Sequence, residues 1–133
     1  MSIFDHPRMV DCGSATLALY EQGSGDPVIF CHGFPELAFS WRYQLPAIAK
    51  AGFRAIAVDM RGYGASDRPD GVASYRQHEL IGDLDGLLAA LGYDDAYWVG
   101  HDWGALLLWQ YALLRPERVK GLINLNIPFA PRR

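Results

Sequence analysis

Alternating apolar and mixed stretches divide the chain into predicted strands and helices. Short apolar or β-branched runs bounded by turn residues are typical of strands, and continuously apolar runs are typical of buried parallel strands. The predicted strands are residues 8–12, 16–21, 28–31, 54–58, 97–99 and 119–125. Gly13 and Ser14 separate the first two runs and predict a hairpin there.

Three segments between these strands have helical patterns. Residues 41–51 form the first, in which Pro46 predicts a break or restart. Ser74-Tyr75-Arg76-Gln77 has the form of a capping box, and leucine and isoleucine recur with helical spacing after it. Residues 103–114 are apolar on nearly every side, so we expect the most buried helix there.

The order of these elements predicts the fold class. A hairpin followed by strand–helix repeats is typical of an α/β fold with a mostly parallel sheet and helices on both faces. Ligands of such sheets bind beyond the carboxyl ends of the strands. Because His32, Asp59 and Asp102 each follow a predicted strand, we expect them along one rim of the sheet.

The segment Gly100-His101-Asp102-Trp103-Gly104 lies between a predicted strand and a predicted helix. Its spacing, small-x-nucleophile-x-small, is typical of a nucleophile elbow, where Gly100 and Gly104 keep side chains out of a crowded corner. An aspartate with a reference pKa of about 3.9 is already charged at neutral pH. It attacks an sp3 carbon directly and forms an ester, which predicts epoxide opening or halide displacement. The alternative is that Asp102 only caps the following helix.

A second segment, His32-Gly33-Phe34-Pro35-Glu36, follows the predicted strand 28–31. In the elbow architecture, a backbone N–H of this loop and the N–H after the nucleophile form an oxyanion hole. The donors here would be Phe34 and Trp103, although an ordinary Gly-Pro turn is the alternative. Their rings, with that of Trp41, suggest an apolar pocket wall. The other predicted loop and substrate-side residues are His32, Gly33, Pro35 and His101.

The segment after residues 54–58 contains Gly62-x-Gly64, which resembles part of a dinucleotide-binding pattern. Asp67 stands where the third small residue should be, and no helix is predicted to open there, so we exclude that interpretation. We expect this loop to brace its neighbours through Asp59 and Arg61.

The composition narrows the function classes further. A net charge of −3 over 133 residues is not the excess of basic residues that nucleic-acid binding requires. Half of the residues are apolar, as a globular core requires. No apolar run approaches the roughly 18 residues of a membrane span, and no secretory signal is visible. Cys12 and Cys31 lack motif spacing, so we expect reduced thiols in a cytoplasmic protein. No histidine pair has metal-ligand spacing, and carboxylate and water chemistry requires no cofactor.

Four segments together resemble the α/β-hydrolase-fold epoxide hydrolases, from about residue 15 onward. They are His32-Gly-Phe-Pro-Glu36, Asp59-Met-Arg-Gly-Tyr-Gly-x-Ser-Asp67, Gly100-His-Asp-Trp-Gly104 and Asn124-Leu-Asn-Ile-Pro-Phe129. The resemblance implies that Asp102 attacks an oxirane carbon of a small-molecule epoxide and forms an alkyl-enzyme ester. A histidine-activated water then attacks the ester carbonyl, while tyrosines of an inserted helical cap assist the opening oxygen.

The catalytic set that the resemblance implies is incomplete in residues 1–133. The order in this fold is nucleophile, acid, histidine, yet neither Asp nor His follows Asp102. His32 and His101 are expected to be loop or core histidines. We therefore expect residues 1–133 to be the N-terminal part of a longer core domain, which alone would not turn over and would be poorly soluble. Strand 119–125 should have an unpaired edge, and the helix at 103–114 should be partly exposed.

Two other functions stay open. A haloalkane or haloacid dehalogenase of the same fold also uses an aspartate nucleophile, but Phe34 cannot donate a side-chain hydrogen bond to a halide. Dehalogenases of the fluoroacetate type usually have arginine where Trp103 stands. A non-catalytic module that binds a partner through the open sheet edge is the second alternative. The pattern does not reveal the oligomeric state.

Overall fold

One sheet of six strands organises the chain. The computed structural model describes residues 2–34 and 36–125. The strands are β1 (Arg8–Asp11), β2 (Thr16–Gln22), β3 (Pro27–Cys31), β4 (Arg54–Val58), β5 (Ala96–His101) and β6 (Val119–Leu125), in the spatial order β1-β2-β4-β3-β5-β6. The first two pairings, β1 with β2 and β2 with β4, are antiparallel, and the others are parallel. The predicted α/β-hydrolase fold class, with its mostly parallel sheet, is confirmed.

Helices cover both faces of this sheet, as predicted. They are α1 (Gln44–Lys50), α2 (Gln77–Leu91) and α3 (Trp103–Leu114), with 3-10 helices at Ile3–Asp5, Ala38–Trp41, Val72–Tyr75 and Pro116–Arg118. Successive strand residues point to opposite faces. Ile29 therefore packs in one core cluster with residues of α2 and α3, whereas Phe30 packs in the other with Leu45 of α1.

The break or restart predicted at Pro46 occurs two residues before it. The chain forms the 3-10 helix Ala38–Trp41, and α1 then begins at Gln44. Pro46 lies within the first turn of α1, where a backbone N–H has no intrahelical acceptor to lose. The interruption therefore precedes the helix.

The predicted capping box is wrong. The Ser74 hydroxyl donates to the carbonyl of Asp70 at 2.7 Å and belongs to the 3-10 helix before α2. Arg76 is the N-cap of α2, and its side chain makes no capping hydrogen bond. The local turn thus competes successfully for the serine, as short polar side chains often allow.

The outer edge of the described sheet carries exposed apolar side chains. Among residues 2–34 and 36–125, β6 pairs with β5 alone, which confirms the predicted unpaired edge. Helix α3 buries Leu108 and Tyr111 but exposes three leucines, so its predicted partial exposure is confirmed as well. The exposed large apolar residues of the two elements are Trp103, Leu106, Leu113, Leu114, Ile123 and Leu125. In the described ranges, no helix combines the length and apolarity needed to cross a bilayer.

Candidate active site

Three neighbouring parallel strands deliver polar residues to the same rim of the sheet. His32 follows β3, Asp59 follows β4, and Asp102 follows β5. Asp59 is buried and accepts hydrogen bonds from the Tyr20 hydroxyl at 3.0 Å and from the Ala38 N–H at 2.9 Å. The bracing function predicted for the loop of Asp59 is therefore confirmed.

Asp102 occupies a sharp turn between β5 and α3. Its backbone has φ 56° and ψ −120°, and among the described residues it is the sole non-glycine with positive φ. Its N–H donates to the carbonyl of Leu125 at 3.5 Å, and its carbonyl accepts from the N–H of Leu106 at 3.0 Å. The carboxylate makes no capping hydrogen bond to α3, so the alternative that Asp102 is only a helix cap is wrong.

Three glycines let the backbone segments of this corner approach one another. A Cβ on Gly104 would lie 2.6 Å from the carbonyl oxygen of His32, and one on Gly100 would lie 2.8 Å from the nitrogen of Ala105. A Cβ on Gly33 would collide with Asp102 itself. The turn therefore requires glycine at each of these positions because any larger residue would push the loops apart.

One of the two predicted oxyanion donors contacts the carboxylate of Asp102, and the other is the residue that follows Asp102. The backbone N–H of Phe34 donates to Asp102 Oδ2 at 3.4 Å. Trp103 is the first residue of α3, and an N–H in the first turn of a helix has no intrahelical acceptor. The arrangement can stabilise negative charge on a carboxyl oxygen of Asp102.

His32 is buried, and both of its ring nitrogens form hydrogen bonds with the surrounding loops. Its Nδ1 lies 2.8 Å from the carbonyl oxygen of Gly33, and its Nε2 lies 3.0 Å from the nitrogen of Met60. Because the Met60 N–H donates to Nε2, the ring proton of the neutral imidazole is on Nδ1. Burial lowers the pKa of His32 below its usual value of 6.5. The ring therefore links two loops in its uncharged form.

Glu36 connects the 32–36 loop with the elbow, a role that the sequence analysis missed. Its Oε1 lies 2.7 Å from Nδ1 of His101 and accepts from the Gly33 N–H at 3.3 Å. Burial would raise the pKa of Glu36, but the hydrogen bond and charge of His101 and the Gly33 N–H together lower it. The only signal in the sequence was that Glu36 shares a loop with Phe34.

A pocket of about 500 Å³ opens beside this corner. The residues of the 32–36 loop and the elbow that line it are His32, Gly33, Phe34, Trp103 and Gly104. Tyr63 also lines it, and burial and then the charge of Asp102 raise the pKa of its hydroxyl. The remaining lining residues are Met60, Arg61, Tyr75, Gln77, Leu80, Leu106, Leu107 and Gln110.

Trp41 does not line this pocket, contrary to the prediction. It is buried on the face of the sheet that α1 covers, with its ring centroid 5.1 Å from that of Phe30. The 3-10 helix that precedes α1 turns its indole inward. Two other predicted features, Pro35 and the part of the last motif at 126–129, lie outside the described residues.

Arg61 forms a buried anchor at the side of the pocket. It donates to both carboxylate oxygens of Asp83, at 2.6 and 2.9 Å, and to the carbonyl of Ser74 at 2.8 Å. The hydrogen bonds to Asp83 raise the pKa of Arg61 above its usual value. The bracing role predicted for Arg61 is confirmed.

Metal-binding and thiol chemistry find no support in the described ranges. Within residues 2–34 and 36–125, no three His, Cys, Asp or Glu side chains are grouped so that they could hold a metal ion. Cys12 and Cys31 are free and buried, and burial raises the pKa of each thiol to about 12. Thiols with such pKa values are poor nucleophiles at neutral pH.

The chain is similar to known epoxide hydrolases along nearly its whole length. A family described as alpha/beta hydrolase fold matches residues 26–132. Epoxide hydrolase A of Mycobacterium tuberculosis is 49% identical over 127 residues, which cover 94% of this chain and 39% of that protein. Bifunctional epoxide hydrolase 2 of Sus scrofa is 51% identical over 130 residues, which cover 98% of this chain and 23% of that protein.

Solved structures agree with these similarities. The crystal structure of an epoxide hydrolase from Vigna radiata superposes with a TM-score of 0.93 at 41% identity, covering 96% of this chain and 40% of that one. Epoxide hydrolase A from Mycobacterium thermoresistibile gives a TM-score of 0.92 at 44% identity, with coverages of 96% and 40%. The chain thus spans about a quarter to two fifths of the length of these proteins. The resemblance indicated by the motifs is confirmed.

Proposed function

The chain belongs to the α/β-hydrolase fold family, and on that premise we propose that it carries the nucleophile of an epoxide hydrolase, Asp102. The observation that carries the proposal is a carboxylate in a strained turn, with the Phe34 N–H 3.4 Å from its Oδ2. A serine at this position would cleave esters or peptides with the help of a base. A carboxylate instead becomes alkylated, because it attacks an sp3 carbon without first losing a proton.

In the first step, Oδ1 of Asp102 attacks one carbon of the oxirane. A carbon–oxygen bond of the ring breaks, its electron pair moves to the epoxide oxygen, and that oxygen takes up a proton from a donor. The product is a β-hydroxyalkyl ester of Asp102. During the attack, Oδ2 becomes the carbonyl oxygen of the ester and stays beside the Phe34 N–H.

In the second step, water attacks the carbonyl carbon of this ester after a base removes its proton. Negative charge develops on Oδ2, where the N–H groups of Phe34 and Trp103 would stabilise it. Collapse of the tetrahedral intermediate expels the diol and restores the carboxylate. One oxygen of the carboxylate then comes from water, and one oxygen of the diol comes from Asp102.

The proposal assigns neither the base nor the proton donor to the described histidines. His32 holds the carbonyl of Gly33 and the N–H of Met60, and His101 pairs with Glu36. Moving either ring to activate water would break the hydrogen bonds that shape the corner. We infer that the base and the donating tyrosines belong to the part of the relatives' length that this chain does not span.

The experiment is a single turnover of the full-length gene product with styrene oxide in H₂¹⁸O, followed by mass spectrometry. We expect one ¹⁸O in the peptide that contains Asp102, together with an unlabelled diol. Asp102→Ala should form no diol, whereas Asp94→Ala, a change at an exposed aspartate, serves as the matched control. An ¹⁸O label in the diol from the first turnover would contradict an ester on Asp102.

The same assay separates the alternatives. Bromide release from a bromoalkane, without diol from any epoxide, would favour a dehalogenase. The exposed indole of Trp103 in the pocket is the feature that would then hold the halide. If neither substrate reacts with the full-length product, the interpretation as a binding module gains support.

A further inference from the structure

The pocket extends well beyond the atoms that the two proposed chemical steps use. Along α3 it is lined from Trp103 to Gln110, a distance of roughly 10 Å at about 1.5 Å of rise per residue. On the other side it is lined by Tyr75 and the first turn of α2. Phe34 and Trp103, the proposed donors of the oxyanion hole, are two of its lining residues. Most of the other lining residues take no part in the two proposed steps.

Tyr75 forms part of the wall of this pocket. A Cβ on Gly62 would lie 2.8 Å from Cε1 of Tyr75 and 3.2 Å from its hydroxyl oxygen, so the ring lies directly on the Gly62 backbone. The residue remains 38% exposed. One side of the ring is therefore supported by protein, and the residue borders the pocket.

The segment that carries Tyr75 lies at the surface of the protein. The 3-10 helix Val72–Tyr75 contains no buried residue, and Val72 is 88% exposed. One hydrogen bond links the segment to the interior: the carbonyl of Ser74 accepts from the Arg61 guanidinium at 2.8 Å. Arg61 is in turn fixed by its two hydrogen bonds to Asp83. The position of the Tyr75 ring in the wall is therefore set by its contact with the Gly62 backbone and by the hydrogen bond of Arg61 to the neighbouring Ser74 carbonyl.

We propose that Tyr75 is a specificity-determining residue that limits the bulk of the epoxide substituent in the pocket. The inference rests on the proposed epoxide hydrolase function and adds the property that selects among epoxides. Replacing the ring by a methyl group opens space beside the apolar residues Leu80, Leu106 and Leu107. Each additional methylene that becomes buried there should raise kcat/KM about fourfold.

The test compares kcat/KM for 1,2-epoxyoctane with that for 1,2-epoxypropane in the full-length gene product. The ratio of the two values on one sample does not depend on the fraction of folded protein. We expect Tyr75→Ala to raise this ratio about tenfold or more, and Tyr75→Trp to lower it. Tyr75→Phe should leave the ratio unchanged because it keeps the ring.

Val72→Ala is the matched control, because Val72 lies in the same 3-10 helix but does not line the pocket. A ratio that is equal in wild type, Tyr75→Ala and Tyr75→Trp would overturn the inference while leaving the proposed function intact. An equal shift in Val72→Ala would also overturn it, because the effect would then belong to the segment rather than to the ring. Absence of diol from both epoxides in the wild type would overturn the proposed function itself.

Discussion

The backbone strain at Asp102 can be measured by comparing two substitutions that both remove the carboxylate. At φ 56° and ψ −120°, a Cβ is unfavourable, and glycine is the residue that adopts such angles freely. A non-glycine residue in a region of this kind destabilises the folded state by about 1–3 kcal/mol. Glycine in turn makes the protein about 0.4–1 kcal/mol less stable than alanine does, because it increases the conformational entropy of the unfolded chain. We therefore expect Asp102→Gly to be more stable than Asp102→Ala by about 1 kcal/mol.

The assay is the free energy of unfolding from urea titrations of the two variants in the full-length gene product. Asp94 provides the control, because it is exposed and does not have positive φ. At that position the order should reverse, with Asp94→Ala more stable than Asp94→Gly. If Asp102→Ala proves as stable as Asp102→Gly while the control behaves as expected, the turn is not strained and the reasoning fails.

Three further predictions concern the surroundings of the site. Asp83→Ala should lower the free energy of unfolding by about 3–5 kcal/mol because Arg61 stays buried and charged without its partner. Recovery of stability in the double variant Asp83→Leu/Arg61→Met would support this cause. A urea midpoint of Asp83→Ala equal to that of the wild type would contradict it. His32 has a lowered pKa, so the unfolded chain binds the proton first as the pH falls. The contribution of His32 to the free energy of unfolding should therefore be fully present above pH 6.5 and decrease below it by up to about 1.4 kcal/mol per pH unit. Urea titrations at several pH values should find a smaller slope in His32→Gln. In Gly104→Ala, the added methyl group would collide with the His32 carbonyl, and the melting temperature should fall by an amount equivalent to a loss of about 1–3 kcal/mol of stability. Gly82→Ala should not lower the melting temperature because Gly82 has open space around it.

Much of the fold could be predicted because hydrophobic periodicity and glycine placement are local signals. The six strands and the position of Asp102 at the rim follow from such patterns. The restart of the helix was placed at Pro46, two residues too late, because the pattern shows a proline in a helix but not how many residues precede it in the turn. Ser74 was misjudged because the same side chain can cap a helix or close a local turn, and only the carbonyl of Asp70 decides between them.

The parts of the site that escaped prediction depend on contacts between distant segments. Glu36 lies 2.7 Å from His101, and no spacing rule connects those two positions. Trp41 was expected in the pocket because aromatic residues often line pockets, yet the packing of α1 draws it to the opposite face of the sheet. Tyr75 gave no signal, since its place on the wall depends on Arg61 and Gly62.

The elbow is supported from a strand that is made after it. Leu125 of β6 supplies the acceptor for the Asp102 N–H, and the Asn124 amide donates to the carbonyl of Ala105 at 3.0 Å in the first turn of α3. A ribosome adds about 5–20 residues per second, and α3 leaves it before β6 does. In a nascent chain, therefore, the nucleophile is present before the hydrogen bonds that hold its turn, and these bonds form only when β6 pairs with β5. Completion of the elbow thus depends on a strand that the ribosome has yet to make when the nucleophile emerges.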